Sequence, residues 1–388
     1  MKRVQNGVDV TRILITMPWG IGDAIVVGLS AIDQIRRNDP DGEVEIDILC
    51  NQSQAEILEE DPRIHRIIQV DKKLFTTNEA GTWKRGLFLS PETVKLIEFL
   101  RDQDYVAVLT FMFAPTFFYR LHIPVIFLNV KQVVQAISAL RAYQDMPIPK
   151  IIRLSINNFF GVKAPEPSAD DTIPLYICPE HVQKARQAMA SIKEQADVPP
   201  EQSKLLLVAP DTSSLITRPP THLLAEGITG ALQRNQHLIV DILPGYTDKQ
   251  APIRLLNALA PEFPGRIFMM PAEPKHPLLE LAAFIDQSDL FITGDTSVMH
   301  LAAATKKIER PVCEELVPRN SVKIIALFGV THPGLHGYCK RTTILGRGRK
   351  EQNRFTPGVA KDMYNPKGKD LFDHIVPQQL TDAIVSEL

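Results

Sequence analysis

The sequence predicts an α/β protein built on two doubly wound parallel sheets. Strand-length apolar runs alternate with segments whose apolar residues recur at helical spacing, and this alternation stops near residue 165 and restarts near residue 179. Parallel strands need crossover connections, so alternation of this kind indicates parallel sheets with helices on both faces. At 388 residues the chain is too long for one modest core, which agrees with two domains.

The first domain opens with a buried strand at 12–17 and a helix at 24–37. The helix is predicted because its apolar residues follow a helical spacing, at Ile25, Leu29, Ile32 and Ile35. The further predicted elements are strands at 44–50, 64–70 and 105–110 and helices at 53–60 and 91–101. The first domain is therefore expected to be α/β.

The turn-rich run at 165–175 lacks periodicity, as a crossing between domains should. We therefore predict a first domain at 1–172, a second at 173–350, and a basic loop with a C-terminal helix at 351–388 that packs back toward the first domain. The predicted elements beyond the crossing are helices at 179–195, 221–234, 278–286 and 377–388, and strands at 205–209, 238–243, 290–293 and 323–328.

Composition excludes several classes of protein. Hydrophobic residues make up 44% and charged residues 23%, which is ordinary soluble usage, and a formal charge of −2 argues against binding nucleic acid through phosphate attraction. The four cysteines form no C-x-x-C pair, which predicts buried or inert thiols rather than a zinc ribbon or disulfides. Residues 1–7 contain no apolar core of signal-peptide length, so a cytoplasmic protein is expected.

The most informative stretch is 294–300, Gly-Asp-Thr-Ser-Val-Met-His, because it links the strand at 290–293 to a short helical segment. Free backbone N–H groups and the helix dipole make such a helix start suitable for an anion, for example a nucleotide diphosphate. His300 is four residues after Thr296 and can share its face of the helix. An ordinary N-cap made by Asp295 or Thr296 is the structural alternative.

A second candidate site joins the first strand to the first helix. Gly20 and Gly22 let the backbone turn tightly and approach a ligand, and Asp23 follows at the helix start. The third glycine of a dinucleotide fingerprint is replaced by Ile25, which weakens that interpretation. Asp23 is either a helix cap or a general base at the carboxyl end of the sheet, where open α/β folds bind their ligands.

Two further loops follow predicted strands. The loop at 210–220 carries Thr212, Ser213 and Arg218, whose hydroxyls and guanidinium suit phosphate oxygens; a solvated surface loop is the alternative. In the loop after the next strand, Asp248 can accept hydrogen bonds from ribose hydroxyls, or the loop is an exposed turn.

These motifs, taken in order, resemble those of the bacterial heptosyltransferases of glycosyltransferase family 9. The residues that carry the resemblance are Gly22-Asp23, the run 61–68, the block from Leu278 through His300, the run 324–331 and the closing helix. The resemblance covers nearly the whole chain. Its most specific part is Gly294-Asp295-Thr296 with His300.

The resemblance implies a GT-B fold of two facing Rossmann-like domains and inverting transfer of heptose from ADP-heptose to a hydroxyl of a lipopolysaccharide-core or related glycan, without metal or cofactor. It implies that Asp23 is the general base and that Gly20 and Gly22 belong to the acceptor-side loop. Arg218 stands where the family usually has lysine near the donor diphosphate. The predicted donor-binding residues are Thr212, Ser213, Arg218, Asp248, Gly294, Asp295, Thr296, Ser297 and His300.

The chain departs from the family pattern at three places: Arg218 replaces lysine, Ser297 replaces a common glycine, and 305–322 is an insertion. Arginine differs from lysine in geometry as well as chemistry, so these departures bear on donor identity. The insertion is interpreted as a lid, an oligomer contact or an inert surface loop.

Two segments bear on the expected partners, a nucleotide-sugar donor and a glycan or glycolipid acceptor. The basic residues between Gly346 and Lys369 either meet anionic headgroups at the cytoplasmic face of the inner membrane or form a solvated loop. The apolar stretch 111–128 is either a membrane-facing element or core strand and helix.

Alternative functions remain open at this stage. One is a nucleotide-sugar-binding protein that has the fold without turnover. A second is a glycosyltransferase with another donor or a protein or small-molecule acceptor. A third is a nucleotide-sugar epimerase, which would need acid and base groups on both faces of the sugar.

Overall fold

The computed structural model describes residues 3–5, 8–17, 20–71, 91–110, 125–127, 147–162, 172–271, 277–309, 316–329, 340–346 and 371–388. The chain divides into two compact units, Met1–Tyr176 and Ile177–Leu388. Each unit is built on a parallel sheet, so the predicted α/β class is confirmed.

The strands of the first unit are β1 (Arg3–Gln5), β2 (Val8–Met17), β3 (Val44–Cys50), β4 (Arg66–Gln69), β5 (Ala107–Thr110), β6 (Val125–Phe127) and β7 (Pro174–Tyr176). The sheet has the order β4-β3-β2-β5-β6 with parallel pairing, and β1 pairs antiparallel with β2. The sequence did not predict β1, because three residues are too few to show a period.

The helices of the first unit are α1 (Ile21–Asp23), a π-helical segment (Ala24–Leu29), α2 (Ser30–Asn38), α3 (Gln52–Ala55), α4 (Pro91–Arg101) and α5 (Ile148–Phe160). The predicted helix at 24–37 spans the π segment and α2. The helix predicted at 53–60 is shorter than expected. Asn51 and Gln54 form a capping box that starts it, but turns replace it before Asp61-Pro62.

A charged network stabilises the interior of the first unit. Arg153 is 1% exposed, and its Nη2 lies 2.9 Å from Asp33 Oδ2. Arg63 Nη1 lies 3.3 Å from Asp33 Oδ1, and its Nη2 lies 2.6 Å from Asp61 Oδ2. Arg63 Nη2 also donates to the Pro174 carbonyl at 3.3 Å. Since buried charges are tolerated only when paired, removing one member would leave the others uncompensated.

The strands of the second unit are β8 (Lys204–Ala209), β9 (Leu238–Ile242), β10 (Ile267–Met269), β11 (Leu290–Gly294), β12 (Thr305–Lys307), β13 (Lys323–Phe328) and β14 (Thr342–Gly346). The sheet has the order β10-β9-β8-β11-β13-β14, and its strands are parallel. The chain therefore leaves β8 toward β9 on one side and later returns to β11 on the other. The edge strands β10 and β14 were not predicted; both are partly exposed, β10 has only three residues, and β14 begins with two threonines.

The helices of the second unit are α6 (Pro179–Gln195), α7 (Thr221–Arg234), α8 (Gln250–Leu259), α9 (Leu278–Gln287), α10 (Ser297–Ala303) and α11 (Pro377–Glu387). The sequence analysis did not predict α8. Alternate sheet residues such as Leu206, Val208 and Val240 pack with apolar residues of α7, α8 and α11 in one buried cluster.

The C-terminal helix packs against α7 within the second unit, and the expectation that it also packs back toward the first domain stays a prediction. Leu380 and Ile384 of α11 are buried in the same cluster as Ile228 of α7. Thr381 Oγ1 donates a hydrogen bond to the Gly227 carbonyl at 2.9 Å. The apolar face of α11 is complementary to that of α7, and burial of both faces decides where the helix lies.

Several predicted features fall on residues outside the described part of the chain. These are the basic segment at 347–370 and most of the apolar stretch 111–128. Among the described helices, none combines the length and the apolar character needed to cross a bilayer.

The described ends of the 305–322 insertion are tied into the second unit. Lys306 is 2% exposed, and its Nζ donates to the Ala302 and Ala304 carbonyls at 2.8 and 3.0 Å. Asn320 Oδ1 accepts from Lys306 N, and its Nδ2 donates to Lys306 O. These ends are therefore structural rather than an inert surface loop.

A buried carboxyl group lies inside the second sheet. Asp241 on β9 is 1% exposed, and neither of its oxygens has an aligned hydrogen-bond partner among the described residues. Burial raises the pKa of Asp241 to about 7, against a smaller opposing effect of the Ile242 N–H. The group is thus held in its neutral form over much of the acidic range.

Because the folded-state pKa of Asp241 is raised, the folded protein binds a proton more tightly than the unfolded chain does. This group therefore lowers the free energy of unfolding progressively as pH rises from about 4 to about 7, by a few kcal/mol at most. Asp241→Asn should raise the melting temperature at pH 8 and change it little at pH 4.5. Calorimetric scans of both proteins at the two pH values measure this. Equal gains at both pH values would contradict the raised pKa.

Candidate functional site

The candidate donor site lies at the carboxyl edge of the second sheet, where the strand order reverses. The loops after β8, β9 and β11 are 210–220, 243–249 and 295–296. The crossover after β8 runs to one side of the sheet and the crossover after β11 runs to the other, and such a switch point is where open α/β sheets form a ligand crevice.

Gly294 brings the loop after β11 against the loop after β8. A Cβ atom at Gly294 would lie 2.3 Å from the Thr217 carbonyl oxygen and 3.0 Å from Pro219 Cδ. Such distances are well inside van der Waals contact, so only glycine fits without a backbone shift. Gly294 therefore sets how closely Asp295 and Thr296 approach the loop at 210–220.

The hydroxyls of the 210–220 loop shape the loop itself. Thr212 Oγ1 donates to the Ser214 carbonyl at 2.6 Å and accepts from Thr217 Oγ1 at 3.1 Å. Thr212 and Thr217 are buried, whereas Ser213 is exposed. The Thr212 hydroxyl thus stabilises the conformation of the loop. Contact of Thr212 or Ser213 with the donor stays a prediction.

Arg218 links the loop after β8 to the loop after β9. Its Nη1 donates to Asp248 Oδ2 at 3.0 Å, and its Nη2 donates to the Thr212 carbonyl at 3.1 Å. Nη2 also lies 2.8 Å from Asp211 Oδ1, an ion pair without an aligned hydrogen bond. A guanidinium has five N–H groups, so these contacts leave Arg218 with donors to spare.

The loop after β9 is organised around Asp248. Besides Arg218, its carboxylate accepts from Arg254 Nη2 at 2.8 Å and from the Gln250 N–H at 2.9 Å. The Arg254 hydrogen bond, with that of Gln250, lowers the pKa of Asp248 below its ordinary value, so the group is ionised at neutral pH. Asp248 is therefore a charged anchor, and ribose binding by Asp248 stays a prediction.

The predicted motif at 294–300 lies where β11 passes into α10. Asp295, Thr296 and Ser297 are half-buried, and His300 is buried. Thr296 occupies the N-cap position with extended backbone, but its side chain makes no capping hydrogen bond. The alternative in which the Thr296 hydroxyl caps the helix is therefore wrong. At the other end of α10, the Lys306 ammonium complements the negative end of the helix dipole.

In the first unit, the candidate site also lies at the carboxyl edge of the sheet, after the central strand β2. Gly20 is the N-cap of α1, and its carbonyl accepts from Ala24 N at 3.2 Å. Asp23 is the last residue of α1 and is exposed; its side chain makes no capping hydrogen bond. Gly20 and not Asp23 occupies the N-cap position of α1, and the role of Asp23 as a base stays a prediction.

The sequence analysis did not assign roles to Asp211, Thr217, Arg254 or Lys306. The position of Asp211, directly after a buried strand and Pro210, was the one available signal. Among the described residues, no group of three or more His, Cys, Asp or Glu side chains is placed to hold a metal ion. Cys50 is buried, which raises its pKa to about 12 and makes it an unreactive thiol, as predicted.

Comparison with known proteins identifies the second unit. The family model for glycosyltransferase family 9 (heptosyltransferase) matches residues 177–361. The chain carries a glycosyltransferase family 9 domain. The resemblance predicted from the motifs is thereby confirmed, and the protein is a glycosyltransferase. None of the curated proteins matches the chain by sequence.

Solved structures confirm the predicted GT-B fold. A glycosyl transferase family 9 protein of Veillonella parvula is 16% identical, with a TM-score of 0.65 and coverage of 97% of both chains. The ADP-heptose LPS heptosyltransferase II of E. coli is 15% identical, with a TM-score of 0.63 and coverage of 97% of this chain and 98% of that one. The E. coli heptosyltransferase WaaC with ADP is 16% identical, with a TM-score of 0.57 and coverage of 92% and 100%.

Gly294→Ala should destabilise the family 9 domain, because the added methyl would press on the Thr217 carbonyl. We expect a loss of about 1–3 kcal/mol, the usual scale for overpacking. Thermal denaturation followed by circular dichroism measures it. Ser213→Ala, at an exposed position of the facing loop, is the control and should melt like wild type. Wild-type stability of Gly294→Ala would contradict the close approach.

Proposed function

We propose that the protein is an inverting glycosyltransferase that moves heptose from ADP-heptose to a hydroxyl of a lipopolysaccharide-core or related glycan, without a metal or cofactor. The observation that carries this proposal is the meeting of three strand-end loops at the switch point of a family 9 domain. Two of the similar structures are described as heptosyltransferases, one with ADP.

We propose that residues of the second unit bind the donor. Asp295, Thr296, Ser297 and His300 follow β11 in sequence, and Arg218 reaches the same edge from the loop after β8. The N–H groups that Arg218 does not use within the protein would hydrogen-bond to diphosphate oxygens. Such donors stabilise the negative charge that develops on ADP as the bond to the sugar breaks.

We propose that Asp23 activates the acceptor hydroxyl. Its exposed carboxylate would take the proton of the acceptor hydroxyl while the oxygen attacks the anomeric carbon of heptose. The bond from that carbon to the diphosphate breaks, ADP leaves with the electron pair, and the configuration inverts. One positioned base suffices for this step.

We further propose that the enzyme works on the cytoplasmic side of the inner membrane as a peripheral protein. The support is the chemistry of the acceptor, a growing glycolipid, together with the basic residues of the 346–369 segment.

The donor claim is tested by thermal shift with ADP-heptose, ADP, UDP-glucose and GDP-mannose at equal concentrations. A ligand that binds only the folded state raises its stability by about 2.7 kcal/mol at a hundredfold excess over Kd. ADP-heptose and ADP should raise the melting temperature more than the UDP- and GDP-linked sugars. A larger shift with UDP-glucose or GDP-mannose would indicate a glycosyltransferase with another donor.

The base assignment is tested with Asp23→Asn. Transfer from ADP-heptose to a heptose-free core glycolipid should fall on the order of 10²-fold or more, the usual contribution of a positioned base. ADP affinity, measured by calorimetry, should stay at the wild-type value because Asp23 belongs to the first unit. Asp41→Asn, an exposed position in the turn before β3, is the control. Undiminished transfer by Asp23→Asn would show that another group takes the proton.

A further inference from the structure

We propose that Asp211 is a positioning residue of the donor site: its carboxylate holds Arg218 and the turn at 245–248 in the arrangement that receives the donor diphosphate. This proposal rests on the proposed function. It goes beyond it because Asp211 would act through its neighbours and not through contact with the donor.

The buried carboxylate of Asp211 makes contacts through both of its oxygens. The Asp211 side chain is 7% exposed. Its Oδ2 accepts from two consecutive backbone N–H groups, Thr247 N at 2.7 Å and Asp248 N at 3.1 Å. Its Oδ1 lies 2.8 Å from Arg218 Nη2. One side chain therefore uses both oxygens on groups from the loops after β8 and β9.

The turn that Asp211 holds is tightly closed. A Cβ atom at Gly245 would lie 2.2 Å from the Asp248 carbonyl oxygen, so the turn closes tightly on itself. Two adjacent N–H groups of this turn point at one oxygen, and without it they would lose their acceptor. Asp248, at the end of the turn, then carries the effect to Arg218 and Arg254.

The charges around Asp211 balance one another. Asp211 and Asp248 balance Arg218 and Arg254, so the four-residue cluster has no net charge. Removing the Asp211 carboxylate leaves an excess positive charge beside the place proposed for the diphosphate. If Asp211 acted only through charge, its removal would strengthen the binding of an anion. If Asp211 acts by positioning, its removal weakens that binding, because a loosely held guanidinium must be ordered again.

The direction of the change in affinity therefore separates the two roles. We expect Asp211→Ala to weaken ADP binding roughly tenfold, the scale of one well-oriented charged hydrogen bond. Asp211→Asn, which keeps an acceptor for the turn but loses the charge contact with Arg218, should give a smaller loss of the same sign. In transfer assays the KM for ADP-heptose should rise in both variants, with kcat changed less.

Asp286 offers a matched control within the same unit. It is 1% exposed and also accepts from two consecutive backbone N–H groups, Arg319 N at 2.7 Å and Asn320 N at 2.9 Å. Asp286 lies near the end of α9, just before β11 begins, so the length of β11 separates it from the loops at the carboxyl edge. Asp286→Ala should cost similar stability and leave the Kd for ADP unchanged.

The experiment combines calorimetry with ADP and amide hydrogen exchange on the full chain. Exchange at Thr247 and Asp248 should quicken in Asp211→Ala and not in Asp286→Ala. Tighter or unchanged ADP binding by Asp211→Ala would overturn the proposal while the proposed function stands. If wild type binds no ADP, the proposed function fails. In that case hydrogen exchange still tests Asp211. Unchanged exchange at Thr247 and Asp248 in Asp211→Ala would overturn its positioning role as well, and faster exchange would support that role.

Discussion

The pairing of β8 with β11 is the constraint on which the rest of the candidate donor site depends. Ile292 pairs with Val208 and Thr293 with Ala209, so the two strands end side by side. Beyond that point the loops must diverge, because the chain after β8 leads to β9 on one side and the chain after β11 leads to β13 on the other. Gly294 has room only for a hydrogen beside the Thr217 carbonyl, and this contact fixes how closely the loops meet. A slip of one residue in the register would move Gly294 away and face every sheet side chain the other way.

The charged side chains at this edge hold one another in place and do not create a strong electrostatic field. Two arginines and two aspartates lie in one cluster, with contacts of 2.8–3.0 Å. A neutral cluster attracts an anion less from a distance than an isolated arginine would. In exchange, the guanidinium is held in one orientation, which would lower the entropy lost when the proposed diphosphate ligand binds. Arginine suits this arrangement better than the lysine usual in the family, because its planar fork can contact several acceptors at once.

The likeness to solved structures at 15–16% identity shows how little particular residues decide the fold. Cores tolerate wide substitution if volume and pattern are kept. Both sheets here obey that rule, since alternate strand residues fill the core with ordinary aliphatic side chains. The exceptions are polar. Asp33, Arg63 and Arg153 form a buried network in the first unit, and Asp241 lies buried in the second.

The sequence alone determined the α/β class, most of the strands and helices, and the strand-end positions of Gly20, Asp23, Arg218 and Gly294. These follow from periodicity and from glycines after apolar runs, which are local signals. Tertiary structure decided the rest. The C-terminal helix joins α7 because two apolar faces match, and the short helix at 52–55 ends where turns are favoured. The contacts of Asp211 with Thr247 and Arg218 join loops distant in sequence, and no local pattern records which N–H group a carboxylate will meet.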